Sequence, residues 1–488
     1  MTNSHLQQLE PRALWRHFET LCNTPRPSGH EAAIIEKIEA FAAGLGLTVL
    51  RDDVGNVVIR KPASKGYEHS PGVILQSHLD MVPQKSQTAR HDFTQDPIQT
   101  VIQGDWVHAV GTTLGADNGI GVAAILAVLE STNLTHGPLE ALFTIDEEAG
   151  MTGAKGLSPD ILQGRLLFNL DTEDEGELYV GCAGGIDVNA RIAGHWGEPD
   201  AQSACFQLSV SGLLGGHSGL DINLGRANAN LLIAQFIARL SDALPVRIAH
   251  IQGGTLRNAI ARDGRAVFTV PAALAEAVGA AFDKYLADVQ HCYGQLETGM
   301  SLTLAPAEPV ASALGALQTR ALVSALLTCP HGAQRMSPQL AGVVETSNNL
   351  ATVGIEGDTL VVQCLVRSLI DEARDDLAAN IARHFQLIDA DTLLDGAYPG
   401  WAPNMQSALL EQMRAVYAQK YGKPPAVKVI HAGLECGLLG AIYPNWDMIS
   451  FGPTIRGAHS PDERVHIASV AAFWECLVAG LAAVATQA

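Results

Sequence analysis

The chain has 488 residues, 47% of them hydrophobic and 17% charged, which is long enough for two or three packed domains and too apolar for a disordered chain. Lys and Arg number 31 against 51 Asp and Glu, a formal charge of −20; this excess of acid argues against nucleic acid and anionic membrane as partners and suits a protein that collects divalent cations. The eight cysteines are scattered, with no CxxC pair, and read as reduced, mostly buried thiols of a cytoplasmic protein.

The start, MTNSHLQQLEPRALWRHF, is polar and amphipathic and lacks the apolar core of a signal peptide. Short apolar runs then predict strands at 56–60, 72–76, 139–145 and 165–170, with a helix from Asn118 to about Glu130. Strands alternating with helices point to an α/β layer with a mostly parallel central sheet. Around Gly181–Gly185 the texture changes. From Ile186 to about Leu387, strand-like runs such as FQLSVSG and AVFTVP lie among Ala/Leu-rich helices predicted over 227–243 and 272–290, the pattern of an α+β domain. The first style then returns with a helix in MQSALLEQMRAVYAQKYG, a strand in WDMISFG and a last helix in SVAAFWECLVAGLAAVATQA. That last stretch is long enough to span a membrane, but its alanine content and Glu475 favour a packed core helix. The simplest organisation is an α/β domain formed by 1–184 and 390–488, interrupted by an α+β domain over 185–389.

Apolar runs repeatedly lead into metal-type side chains. VILQS leads to His78 and Asp80, LFTI to Asp146, Glu147 and Glu148, LLFNL to Asp171, and MISFGPTIRGA to His459; the glycine-rich GTTLGADNG delivers Asp117 just before a helix. Open α/β sheets bind ligands outside the carboxyl ends of their strands, so residues far apart in sequence converge if they share that edge. A solvated strand end explains His-x-Asp alone, an acidic turn explains DEE alone, and a plain turn or phosphate loop explains GADNG alone. The last matches neither the P-loop nor GxGxxG, and Asp117 would repel phosphate. Taken together, two histidines and several carboxylates form a donor set for zinc, with cobalt and manganese as alternatives. Asp80, two residues past His78, is placed to orient that imidazole. Asp117 is the natural carboxylate to bridge two ions, and such a pair can activate a shared hydroxide.

Eight stretches carry a resemblance: LQSHLDMVPQK, GTTLGADNGIGVA, TIDEEAGMTGA, GELYVGCAGG, GLLGGHSGLDI, GGTLRNAIAR, HAGLECGLL and GAHSPDERVHI. They resemble the M20 metallopeptidases, and within them the aminoacyl-histidine dipeptidases, over essentially the whole chain. Ser77 departs from the glycine expected before the histidine, and NLDTEDEGE differs slightly from the usual wording around Asp171. The resemblance implies a zinc-exopeptidase-like catalytic domain with an inserted lid and dimerisation domain. It implies two zinc ions per subunit, one held by His78 and Asp171, the other by Glu148 and His459. Asp117 bridges both, next to a cis peptide to Asn118; Glu147 serves as general base and acid, and Asp80 orients His78. In the inserted domain, His217 looks like the histidine that reaches a neighbouring active site and steadies the oxyanion, while Asn258 and Arg367 look like holders of the substrate's C-terminal carboxylate. Glu435 looks like a partner for its free amino group.

The implied activity is hydrolysis of Xaa-His and similar dipeptides, carnosine-like ones included, by a cytoplasmic homodimer. Clamping both charged ends limits length, since each further extended residue adds about 3.3–3.6 Å. The preference for histidine comes from the resemblance alone. Besides a phosphate-handling metalloenzyme, against which the acidic balance and the absent phosphate loop count, two other readings compete. One is a related family member acting on tripeptides or N-acyl amino acids with the same metal centre. The other is a metal-dependent binding protein without catalysis, against which the presence of Glu147 beside a full ligand set argues.

Overall fold

The computed structural model describes residues 4–486; the first three residues of the polar start and the last two of the predicted final helix lie outside the described residues. The chain forms two compact units. One comprises Met1–Gly181, Trp401–Val429 and Leu434–Ala488, the other Cys182–Gly400 with the short return Ile430–Gly433.

The first unit is built on an eight-stranded sheet in the order Thr48–Arg51, Val57–Lys61, Leu139–Thr144, Val73–His78, Leu166–Asn169, Asp447–Ser450, Glu177–Cys182 and Ala426–Ile430. The four central strands, from Leu139–Thr144 to Asp447–Ser450, run parallel. Outside them the sheet is mixed. Val57–Lys61 is antiparallel to both neighbours; its pairing with Thr48–Arg51 follows from the five residues between them, since so short a connection permits only a hairpin. Glu177–Cys182 meets Asp447–Ser450 antiparallel as well.

Every residue of Val73–His78 and of Leu139–Thr144 is buried, as expected for parallel strands covered on both faces. The Ala116–Glu130 helix is buried from Asn118 through Leu129, which fits its apolar circumference. The final helix, Ile467–Thr486, is long and apolar enough to cross a membrane by length and composition. Here Val470, Phe473, Cys476, Leu477 and Leu481 join Leu409, Leu410 and Met413 of the Ala408–Tyr421 helix in one core.

The second unit carries a nine-stranded sheet whose registered pairs are antiparallel. Its longest strands, Val344–Glu356 and Thr359–Ser368, close on Gly357 at φ 61° and Asp358, a two-residue turn of the kind glycine permits. The Ala229–Ser241 helix contributes Leu232, Ile233, Phe236, Ile237 and Leu240 to this unit's core, an apolar stripe at helical spacing. The helix predicted from 272 begins instead at Ala275, after a 3-10 turn over Ala272–Leu274 that comes directly after Pro271. Among the described residues none of the eight cysteines forms a disulfide.

Close packing brings the buried helix onto the strand ends. A Cβ on Gly121 would lie 2.2 Å from Asn118 Oδ1, 2.4 Å from Ser77 Oγ and 2.7 Å from the Leu170 carbonyl oxygen. Replacing Gly121 with Ala is therefore expected to destabilise the protein by about 1–3 kcal/mol and to lower the midpoint of a calorimetric unfolding transition by several degrees. An unchanged midpoint would show that the helix does not need this approach.

Candidate active site

The four parallel strands end on one edge, and the side chains just beyond them meet there. Val73–His78 ends in His78, Leu139–Thr144 leads to Asp146, Glu147 and Glu148, Leu166–Asn169 leads to Asp171, and Asp447–Ser450 leads through a loop to His459. Asp117 enters from the start of the Ala116–Glu130 helix, before a cis peptide link to Asn118 that departs from helical geometry. Two residues beside the site, Asp146 at φ 53° and His459 at φ 62°, hold left-handed backbone, which is uncommon without glycine and tends to mark functional turns.

The two oxygens of Asp117 face different imidazoles. Oδ1 lies 3.3 Å from His78 Nε2 and Oδ2 lies 3.3 Å from His459 Nε2. Asp171 Oδ1 is 3.2 Å from the same His78 nitrogen, and Glu148 Oε2 is 3.0 Å from that of His459. His78, Asp117 and Glu148 offer ligand atoms that all lie within 4.8 Å of one another, a group that can hold a metal ion. His78 is buried, whereas the His459 side chain is 55% exposed, so the cluster opens toward solvent on the His459 side.

The electrostatics match that arrangement. Hydrogen bonds to Asp117 and Glu148 push His459 up to about 11. Burial opposes the charged form of His78, but Asp171, Asp117 and Asp80 raise it well above its ordinary value. Burial pushes the Asp171 carboxyl up to about 6. Burial, helped by Asp171, Glu435 and Glu148, raises Glu147 well above the usual carboxylate range. Burial is the largest cause for Asp171 and Glu147 and hydrogen bonding for His459, and in each case neighbouring carboxylates add to the rise.

Asp80 performs two tasks. Its Oδ1 lies 3.3 Å from His78 Nδ1 and accepts from the Glu147 amide at 3.0 Å, while Oδ2 accepts from the Glu148 amide at 3.1 Å and from Ser28 Oγ at 2.7 Å. It thus fixes the imidazole and the acidic turn together. Despite burial, these partners hold its carboxyl well below the usual range.

Glu435 lies fully buried under the cluster. Gln76 Nε2 and Thr144 Oγ1 donate to its Oε2 at 2.6 and 2.7 Å, and Gln76 Oε1 in turn accepts from Asn169, so three strands are tied together beneath the site. Among the described residues its Oε1 has no hydrogen-bond partner.

In the second unit, His217, Asn258 and Arg367 come together. The Ser218 amide donates to the Asn258 carbonyl oxygen at 2.8 Å, and Ser218 Oγ accepts from Arg367 Nε at 3.1 Å. Arg367 Nη1 also donates to Tyr398 OH at 2.7 Å. A cavity of about 410 Å³ is lined by His217 and Asn258 among others. His217 Nδ1 accepts from the Gly219 and Leu220 amides, both at 3.1 Å, so a neutral His217 carries its proton on Nε2 and presents it as a donor. Burial and then Arg367 lower His217 to about 4. The same two causes, with His217 itself, lower His431 to about 3.

Sequence reasoning does not single out several of these residues. His431 opens HAGLECGLL, and Glu463 lies in GAHSPDERVHI, so both sit inside the motifs that carry the family resemblance. Ser218 likewise lies in GLLGGHSGLDI, whereas Tyr398 acts through a hydroxyl contact that leaves no local signature. Glu173 is an additional acid near the cluster, pushed to about 8 by burial and by Asp117.

With this geometry established, the relatives of the chain become informative. The model of peptidase family M20/M25/M40 matches residues 74–483. The chain belongs to that family. It is 44% identical over 474 residues to the cytosol non-specific dipeptidase of Escherichia coli (strain K12), covering 97% of this chain and 98% of the relative. It superposes on the aminoacylhistidine dipeptidase of Vibrio alginolyticus with a TM-score of 0.91 and 46% identity, over 98% of both chains. The aminopeptidase PepT of Bacillus cereus ATCC 10987, at 18% identity and a TM-score of 0.58 over 98% of this chain and 100% of that one, shares the fold.

The depressed His217 value gives a signed expectation. The folded form stays neutral below the ordinary 6.5, down to about 4. Because an unfolded His217 takes up its proton first, its contribution to stability is lost as pH falls through that window. Nitrogen NMR of histidine-labelled protein should find His217 neutral with the proton on Nε2 at every pH well above about 4. Titration near 6.5, or a proton on Nδ1, would contradict the assignment.

Proposed function

We propose that this chain is a metal-dependent dipeptidase with two cation sites that share Asp117. The observation that carries the reading is the division of the Asp117 carboxylate, one oxygen toward His78 and the other toward His459. On this reading His78 and Asp171 hold one ion, and Glu148 and His459 hold the other. The mixed nitrogen and oxygen donor set suits zinc, with cobalt or manganese able to replace it. When bound, such a pair supplies Lewis acidity to the scissile carbonyl and acidifies water.

The remaining steps belong to the protein's own groups. Glu147 takes a proton from the attacking water and returns it to the leaving amine. Asp80 keeps His78 in one orientation while fixing the backbone of Glu147. His217, held as an Nε2 donor, hydrogen-bonds the developing oxyanion. Arg367, buried with two neutral hydroxyl partners, binds the substrate's C-terminal carboxylate with Asn258. Glu435 is implied by resemblance as a partner of the substrate's amino group. Its complete burial and its bonds to Gln76 and Thr144 support a different assignment, that of holding the strand ends beneath the site.

The substrate class is dipeptides with a free carboxylate, Xaa-His among them. One relative carries the name non-specific dipeptidase and another the name aminoacylhistidine dipeptidase, so we place histidine among the accepted C-terminal residues. The first relative's name also supports a cytoplasmic location, and we take the working form to be a homodimer.

A chelator should abolish hydrolysis of an Xaa-His panel, and zinc should restore it. Turnover of tripeptides or N-acyl amino acids in preference to dipeptides would overturn the substrate assignment. Replacing Glu147 with Gln should lower kcat by about 10²–10⁴-fold while elemental analysis finds the metal content unchanged; retained turnover would remove Glu147 from proton transfer.

A further inference from the structure

Four consecutive backbone amides point into one side chain. Glu463 Oε2 accepts from Leu114 at 2.7 Å and Gly115 at 2.9 Å, and Oε1 accepts from Ala116 at 2.7 Å and Asp117 at 3.2 Å. Ala116 and Asp117 are among the donors that the start of the Ala116–Glu130 helix leaves unpaired within the helix, and Leu114 and Gly115 are the two residues that lead into it. Glu463 is 2% exposed, so water does not substitute for it. On the other side of the loop, the buried Arg26 guanidinium donates to the carbonyl oxygens of Gly115 at 2.5 Å, Leu79 at 2.7 Å and Asp80 at 2.9 Å. Gly115 stands at φ 70°, and a Cβ there would lie 2.6 Å from Arg26 Nη2. The segment that delivers Asp117 is thus gripped on both faces.

Glu463 also belongs to the turn that carries His459. The Ser460 amide donates to the Gly457 carbonyl oxygen at 3.2 Å and the Glu463 amide to that of Ser460 at 3.0 Å. One carboxylate therefore ties the amide of Asp117 to the turn presenting His459, whose ring faces Asp117 Oδ2. The exposed His459 side chain gains its fixed position from that anchor.

We propose that Glu463 is a positioning residue that sets the separation of Asp117 from His459, and with it the width of the two-cation site. This rests on the two-cation reading above. Four amide donors need four acceptor positions, which a carboxylate supplies when it is ionised. Glutamine has the same shape, but its amide group would set N–H against two of the four donors. Replacing Glu463 with Gln therefore breaks the clamp with little change in volume.

The test titrates cobalt into wild-type and E463Q protein stripped of metal, reading the visible spectrum and competition with a chelator, alongside kcat and KM. Wild type should take two ions. E463Q should bind at least one of them about 10–100-fold more weakly, the range typical of outer-shell changes. Its cobalt spectrum should change, and kcat should fall with KM nearly constant. If wild type takes two ions and E463Q matches its affinity and spectrum, the positioning role is overturned and the two-cation reading stands. If wild type does not take two ions, that reading fails first and carries the inference with it. Should E463Q not fold, hydrogen exchange on metal-free wild type decides. Amides 114–117 should be protected like the central strands, and exchange at the rate of exposed loops would overturn the role.

Discussion

Negative charge crowded onto one sheet edge is the constraint on which the rest of this structure depends. Two carboxylates about 4 Å apart repel by roughly 4 kcal/mol at an effective dielectric of about 20. Here Asp117, Glu148, Asp171 and Glu147 gather around two imidazoles. Such a cluster persists when rigid backbone holds it and cations neutralise it. Burial raises the proton affinities of Asp171 and Glu147 most, and the neighbouring carboxylates, which raise His459 as well, add to it.

Rigidity comes from the elements beneath. The central strands are buried on both faces and are joined by the Asn169–Gln76–Glu435–Thr144 network, which fixes the spacing of strand ends that a loop could not. Gly121 lets the buried helix approach those ends closely, and Asp80 links the His78 strand to the acidic turn. The second unit solves the opposite problem. It keeps a buried guanidinium, Arg367, hydrogen-bonded to two hydroxyls and near the depressed histidines 217 and 431, with Asp187 the carboxyl that feels its charge. On the proposed reading, a cation so placed would receive the substrate's carboxylate.

Much of this was legible in the sequence because burial and chain direction leave local marks. Val73-Ile74-Leu75 reads as a buried strand, and in a parallel sheet the residues just after each strand must sit at the carboxyl edge. That rule alone brings His78, Glu148 and Asp171 together. The helix after Asp117 was visible because burial on all sides leaves an apolar circumference, and the final helix because its length and apolar composition stand out even though only one face of it is buried. The antiparallel flanks of the first sheet were harder, since strand pairing depends on connection length more than on composition. Glu463 and Arg26 were invisible as clamps because their partners are backbone groups hundreds of residues or several elements away, and a backbone amide carries no residue identity. The burial of Glu435 was equally hidden, because an acid at a helix start reads as solvated until the neighbouring strands are placed. No local signal marks the return of residues 430–433 to the second unit.

The most direct test of the central claim is anomalous X-ray diffraction at the zinc edge from zinc-loaded crystals. The account requires two peaks, one beside each oxygen of Asp117, the first reached by His78 and Asp171 and the second by Glu148 and His459. A single peak, or zinc bound away from Asp117, would contradict it.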